Sequence, residues 1–253
     1  MDLFNTYRKM FASFDSEDVV WWYTGVVLSH KEGLGQIPQT SAETIMVYRT
    51  LDVDENCFTI DWQEVGYFRD ITTGEVMDEG WFNPFAWQQQ PYPKTFIDGP
   101  ARFTIKRSAD GSGIDVHLVQ NQARIDGVKL AVSVNEKSVG LVQTESKTRT
   151  FHRPDGSLPD LDSPEAVAIE TVLSIWSDLA AVGDVSQGNV ASRGYYTSGS
   201  RLAGGTSSWA GTKVHGQMYK GRVDEKINPE AWSRLAKAFP HFFKNDRVAP
   251  DWN

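Results

Sequence analysis

From Val19 to about His152 the chain carries strand-like runs separated by turn signals and no convincing helical period. That long β stretch limits what the chain can fold into more than any other feature. The runs are Val19 to Leu28, Thr44 to Thr50, Phe58 to Ile71, Glu75 to Asp78, Phe103 to Arg107, Ile114 to Ile125, Val128 to Val134 and Val139 to Phe151. About eight consecutive strands with short connections predict an antiparallel meander that closes as an up-and-down, lipocalin-like β-barrel. Helices are expected around it. Leu3, Phe4, Tyr7, Met10, Phe11 and Phe14 repeat at helical spacing within residues 1–16. A second helix is predicted over 162–183, with Ser163 as cap, Pro164 at its first position and Val167, Thr171, Ile175 and Leu179 on one face. A third, capped by Asn228, covers 228–239 and follows a last strand over 213–223. The whole chain, 1–253, reads as one barrel domain flanked by these helices.

The hydrophobic fraction of 40%, with 12% aromatic residues, is enough for a substantial core. A formal charge of −8 argues against a nucleic-acid partner, which needs clustered Lys and Arg. There is no long apolar run of the length a membrane helix needs, and the first residues hold no signal-peptide core, so no membrane partner and a cytoplasmic location are expected. The lone cysteine, Cys57, excludes an internal disulfide and reads as packing. His30, His117, His152, His215 and His241 form no metal-ligand spacing, and no Gly-rich phosphate loop or nucleophile elbow occurs. No metal and no cofactor are therefore expected, which leaves acid/base chemistry by the side chains themselves.

Register arguments then select residues. Asp126-Gly127 is flanked by alternating runs and suggests a hairpin that pairs Ile125 with Val128, Ala123 with Leu130, and Asn121 with Val132. One face of that hairpin is apolar except for Asn121, with His117 at its rim, so Asn121 points inward, where an amide needs a partner or a ligand. Val134 and Val139 close a four-residue turn, which sets Leu141 opposite Val132 and Gln143 opposite Leu130. Gln143 thus joins Asn121 inside. The two amides either hold a substrate carbonyl or satisfy each other.

The strand from Val139 to His152 is polar on both faces, with Thr144, Ser146, Thr148, Thr150 and His152 alternating with Glu145, Lys147, Arg149 and Phe151. It is either an exposed edge or a wall of a wet cavity, and if the Ser/Thr face is inward, His152 stands at the mouth as a proton carrier. Between Phe58 and Ile71 the apolar phase changes around Gly66, which suggests a bulge, and Glu64 beside it is the carboxylate best placed to be desolvated. Aromatic residues are concentrated early. Trp22, Tyr23, Trp62 and Tyr67, together with Trp81, Asn83 and Trp87 of an aromatic loop, are the candidate ligand-binding residues.

The segments Val20-Trp21-Trp22-Tyr23-Thr24-Gly25 and Phe68-Arg69-Asp70-Ile71-Thr72-Thr73-Gly74-Glu75-Val76-Met77-Asp78, followed by Trp81 and Asn83-Pro84, also carry a likeness. The chain resembles an uncharacterised bacterial and fungal domain-of-unknown-function family with a W-W-[FY]-x-G strand and a D-x-x-T-G-E-V-x-D hairpin leading to an N-P turn. That resemblance implies no single reaction. The run Trp87-Gln88-Gln89-Gln90-Pro91-Tyr92 departs from the pattern.

The expected activity is a cofactor-free reaction on a small apolar or aromatic molecule, such as isomerisation, elimination, hydration or cyclisation, with Asn121, His117, His152 and Glu64 as the catalytic set. The alternative is a lipocalin-like carrier without catalysis. A third reading, a scaffold subunit, requires an exposed aromatic patch instead of a cavity. Unpaired strand edges make a homodimer a further expectation.

Overall fold

The computed structural model describes residues 2–15, 17–31, 35–77, 81–83, 88–90, 94–111, 113–119, 123–150, 157–202 and 211–252. Helix α1 (Leu3–Phe11) leads into β1 (Val19–Lys31), β2 (Gly35–Asp54) and β3 (Cys57–Asp70). A small hairpin of β4 (Trp81–Asn83) and β5 (Gln88–Gln90) precedes β6 (Phe96–Arg107), β7 (Ile114–Val119), β8 (Ala123–Val134), β9 (Ser138–Arg149) and β10 (Val167–Asp178). Then follow α2 (Leu179–Gly183), β11 (Ser192–Leu202), β12 (Gly211–Arg222), α3 (Pro229–Ala238) and the short pair β13 (Phe243–Lys244) and β14 (Arg247–Val248).

Among the described residues, ten strands form one antiparallel sheet in the order β7-β6-β3-β2-β1-β12-β11-β10-β9-β8. Because β12 pairs with β1 from Val19↔Arg222 to His30↔Gly211, the first and last long strands are neighbours, and the sheet curls into a nearly closed barrel. Among the described residues a seam remains between β7 and β8, which lie side by side without a ladder.

Helix α1 fills one end of that barrel. Asp2 caps it by accepting from the Phe4 amide at 3.0 Å, and Phe4, Tyr7 and Met10 turn their buried side chains toward the strands. Phe4 meets Phe58 edge-on at 5.3 Å, Phe11 meets Tyr48 at 5.2 Å, and the Trp21 indole donates to the Phe11 carbonyl at 2.9 Å. Two lysines staple the helix in place. Lys220 of β12 donates to the carbonyls of Lys9 and Ala12, and Lys9 donates to that of Val182 at 3.0 Å.

The outer face of β1 to β3 is covered as well. Helix α3, capped by Asn228 and started by Pro229, lays Ala231, Trp232 and Leu235 over Val20, Trp22, Ile45, Val47, Val65 and Tyr67. Trp22 stacks on Trp232 at 6.1 Å. This cover explains the change of apolar phase in β3. Phe58, Ile60, Trp62, Glu64 and Phe68 keep one parity and face the barrel, whereas Val65 and Tyr67 face α3, and pairing with β2 runs straight through Thr44↔Gly66. No bulge is needed at Gly66, which instead leaves room for the Phe96 ring; the irregular register lies against β6, between Trp62 and Glu64.

Two further expectations are corrected. Asp126-Gly127 is not a hairpin turn: both residues lie within β8, the register against β9 slips between Ile125 and Gly127, and Gly127 does not take the positive φ that such a turn requires. Asp126 is held there by Arg124 at 2.8 Å and Thr148 at 2.6 Å. The strands β7 and β8 pair instead with β6 and β9. The helix expected over 162–183 is mostly β10, with α2 as its short end. Val167, Thr171, Ile175 and Leu179 are four apart, a spacing that fits one face of a helix and equally one face of a strand. The buried alternation of Thr171, Leu173, Ile175 and Ser177, rich in β-branched residues, decides for the strand. The β8–β9 turn is as expected: Val134 pairs with Val139, Val132 with Leu141 and Leu130 with Gln143.

Candidate functional site

A cavity of about 390 Å³ occupies the barrel interior above α1. Its floor is Tyr7 and Phe11 of the helix, and the surrounding wall is aromatic and aliphatic, including Trp62, Phe68, Phe96 and Phe103. Phe68 stacks on Phe96 at 5.0 Å, and Trp62 meets Phe103 edge-on at 6.4 Å. Into this wall the strands place phenols and charges. Tyr23 comes from β1, Tyr48 from β2, Glu64 from β3, Asp98 from β6, Tyr196 from β11, and β9 alone supplies Gln143, Glu145, Lys147 and Arg149.

Tyr23 owes its position to two glycines. A Cβ on Gly25 would lie 2.1 Å from the Tyr23 hydroxyl, and one on its cross-strand partner Gly216 would lie 2.5 Å from the ring, so the phenol rests on bare backbone. Tyr23 packs edge-on to Tyr196 at 6.0 Å. It is 6% exposed, and its hydroxyl has no hydrogen-bond partner among the described residues.

Two ion pairs line the interior, one within β9 and one between β6 and β9. Glu145 Oε1 stands 3.4 Å from Lys147 Nζ, and Asp98 Oδ2 stands 3.4 Å from Arg149 Nη1. The second pair links β6 to β9 and so bridges the β7–β8 seam from inside. Burial works against the Lys147 ammonium, but Tyr196 and Glu145 outweigh it and raise its pKa. Glu64 has no such cation: among the described residues it forms no ion pair. Burial raises its carboxyl from 4.5 to about 7, aided by Asp98 and opposed by the Thr44 hydroxyl, Lys147 and Arg149. Gln143 is 7% exposed and its amide nitrogen donates to Glu145 Oε2 at 3.5 Å, while its carbonyl oxygen has no donor among the described residues.

The candidate residues therefore separate. Glu64, Tyr23, Trp62 and Gln143 converge on the cavity. Trp22 and Tyr67 do not, because their parity turns them outward against α3, where Arg69 donates to the Tyr67 hydroxyl at 3.1 Å. His117 also faces away: it is exposed on β7 between Val116 and Leu118, which do line the cavity. Asn121, His152 and Trp87 lie outside the described residues, as do the side chains of Trp81 and Asn83, whose backbone forms β4. The Ser/Thr face of β9 is not the inner one. Since Gln143 is inward, the period of two carries Glu145, Lys147 and Arg149 in with it. That register was the available signal for the charged set, while Asp98 and Tyr196 had none in the sequence. Among the described residues no group of three or more His, Cys, Asp or Glu is arranged to hold a metal ion.

No family model matches this chain and no curated protein matches it. Among solved structures the chain is similar to Ail, the attachment invasion locus protein of Yersinia pestis, at 8% identity and a TM-score of 0.27, over 82% of this chain and 100% of that one.

Proposed function

We propose that this chain is a cofactor-independent enzyme built on a lipocalin-like barrel, which takes a small, largely apolar or aromatic molecule into the barrel and moves a proton on it with Glu64. One observation carries the reading: a carboxyl whose pKa lies at about 7 faces an aromatic-walled cavity large enough for a metabolite. At neutral pH such a group is present both as base and as acid, which suits an isomerase, lyase, hydratase or cyclase, whose steps remove and return protons. Aromatic walls exclude water and orient the ring or chain of the substrate. The outer face of the barrel supports an aqueous setting, since it carries Arg102 paired with Asp61 at 2.6 Å and Arg124 paired with Asp126 at 2.8 Å, where a membrane barrel needs an apolar band.

Untargeted deuterium incorporation tests this reading. Wild-type protein and Glu64→Gln are incubated with a metabolite extract in D₂O, and products are followed by mass spectrometry. Wild type should convert or deuterate at least one compound, with the rate lower by about 10²- to 10⁴-fold for Glu64→Gln. Compounds that bind both proteins and are altered by neither would assign the cavity to a carrier.

A further inference from the structure

We propose that the molecule the cavity accepts is an organic cation, an apolar or aromatic body bearing a protonated amine, which docks its ammonium on Glu64 and the Gln143 carbonyl. The inference rests on the cavity being a ligand site and adds the chemical class of the ligand; with the cation docked Glu64 is held as the carboxylate, so its part in the proton transfer is that of base. Among the described residues three carboxyl groups, Glu64, Asp98 and Glu145, and two cations, Lys147 and Arg149, line the cavity. Each cation is already engaged with one carboxylate, at 3.4 Å in both pairs, and the third carboxyl is Glu64. A ligand carrying one positive charge completes the balance, whereas an anion would have to displace an existing pair.

Hydrogen-bonding capacity points the same way. The oxygen of Gln143, on a residue that is 7% exposed, has no donor among the described residues, and it can accept an N–H or O–H from whatever enters, as can the Tyr23 hydroxyl. An ammonium group brings several donors and no acceptor. Tyr23, Tyr48, Trp62 and Phe103 supply the π-faces on which organic cations rest.

The balance of protons follows. Glu64 faces Tyr23 from β1, Tyr48 from β2, Asp98 from β6, and Lys147 and Arg149 from β9. When it is protonated, binding a cation forms an ammonium–carboxylate pair and expels the carboxyl proton to solvent. When it is already ionised, no proton leaves. Association with a cation therefore tightens by about tenfold between pH 6 and pH 8 and levels off above, given a carboxyl that titrates at about 7.

Titration calorimetry with tryptamine, 3-methylindole and indole-3-acetate, which share one ring system and differ in charge, provides the test. Each is run in two buffers of different ionisation enthalpy at pH 6, 7 and 8.5. Tryptamine should bind tightest and release close to one proton at pH 6, about half at pH 7 and almost none at pH 8.5. In Glu64→Gln the proton release and the preference for tryptamine over 3-methylindole should vanish. Gln143→Leu, which retains the carboxyl, should weaken tryptamine and spare 3-methylindole, so the test survives should the first variant fail to fold. If 3-methylindole or indole-3-acetate binds as tightly as tryptamine, or if tryptamine binds at pH 6 without releasing a proton, the cation is refuted while the cavity stands as a ligand site. If none of the three binds, the cation proposal and the ligand site both fall.

Discussion

Strands β1 to β3 are apolar on both faces, yet their two sides do opposite things. On the outside, Trp22, Ile45, Val65 and Tyr67 meet Trp232 and Leu235 of α3 and form a packed layer. On the inside, Tyr23, Tyr48, Ile60 and Trp62 border a void that also holds a carboxyl. The same residue types make both surfaces. What distinguishes them is what is set among the rings: on the outside Ala231, Trp232 and Leu235 of α3 pack between them, whereas inside Glu64 and Gln143 stand in the wall, where burial shifts the pKa of one and the oxygen of the other has no donor among the described residues.

Breaking the outer layer should have the largest effect on stability and leave the inner one working. Trp232→Ala removes the ring that stacks on Trp22 and should lower the unfolding free energy by about 3–5 kcal/mol in urea titration, with ligand affinity at the cavity unchanged in the folded fraction. Equal loss of affinity would mean that the two faces are not separable.

Glu64→Gln probes the inner face by pH. The Glu64 carboxyl binds its proton more tightly in the folded chain than in the unfolded one, because its pKa is raised from 4.5 to about 7. Its contribution to stability is therefore complete below about pH 4.5 and is lost as the pH rises through 7, which amounts to about 3 kcal/mol at most. Urea midpoints of wild type minus variant, measured from pH 4 to 8.5, should show that decline. A flat difference would place Glu64 in contact with water.

How much of this was legible depends on which physical signal each part left behind. Strand content, α1, α3 with its Asn228 cap, and the β8–β9 register were readable because period, capping and turn closure are local. The outward turn of Trp22 and Tyr67 was not, because an apolar outer face is invisible until a helix more than a hundred residues away is known to cover it. Glu64 could be singled out by its place among inward apolar residues of β3. Asp98 could not, since β6 reaches it only after the irregular register against β3 at Trp62/Glu64.

A smaller change tests the seat of Tyr23. Gly25→Ala puts a methyl group where the phenol lies and should cost about 1–3 kcal/mol, while disturbing cavity binding by moving the ring, as read by thermal shift and calorimetry. The smallest effect is expected outside. Arg102→Ala loses a pair with Asp61 whose guanidinium is half exposed and should change stability by about 0.2–1 kcal/mol, decreasing with added salt.

The lysine staples on α1 set an order of events. Helix α1 precedes every strand of the barrel in the chain, but its donor Lys220 sits in β12, and the ladder from Val19↔Arg222 onward joins positions some two hundred residues apart. During synthesis the helix can pack on Trp21, Tyr48 and Phe58 once β1 to β3 are made, but the Lys220 staple must wait for β12. Closure of the barrel by its first and last long strands makes folding dependent on a contact of high sequence separation, which slows it. The half-built sheet meanwhile exposes the edge of β1 that β12 will cover, so truncation before Gly211 should leave an aggregating chain instead of a smaller barrel.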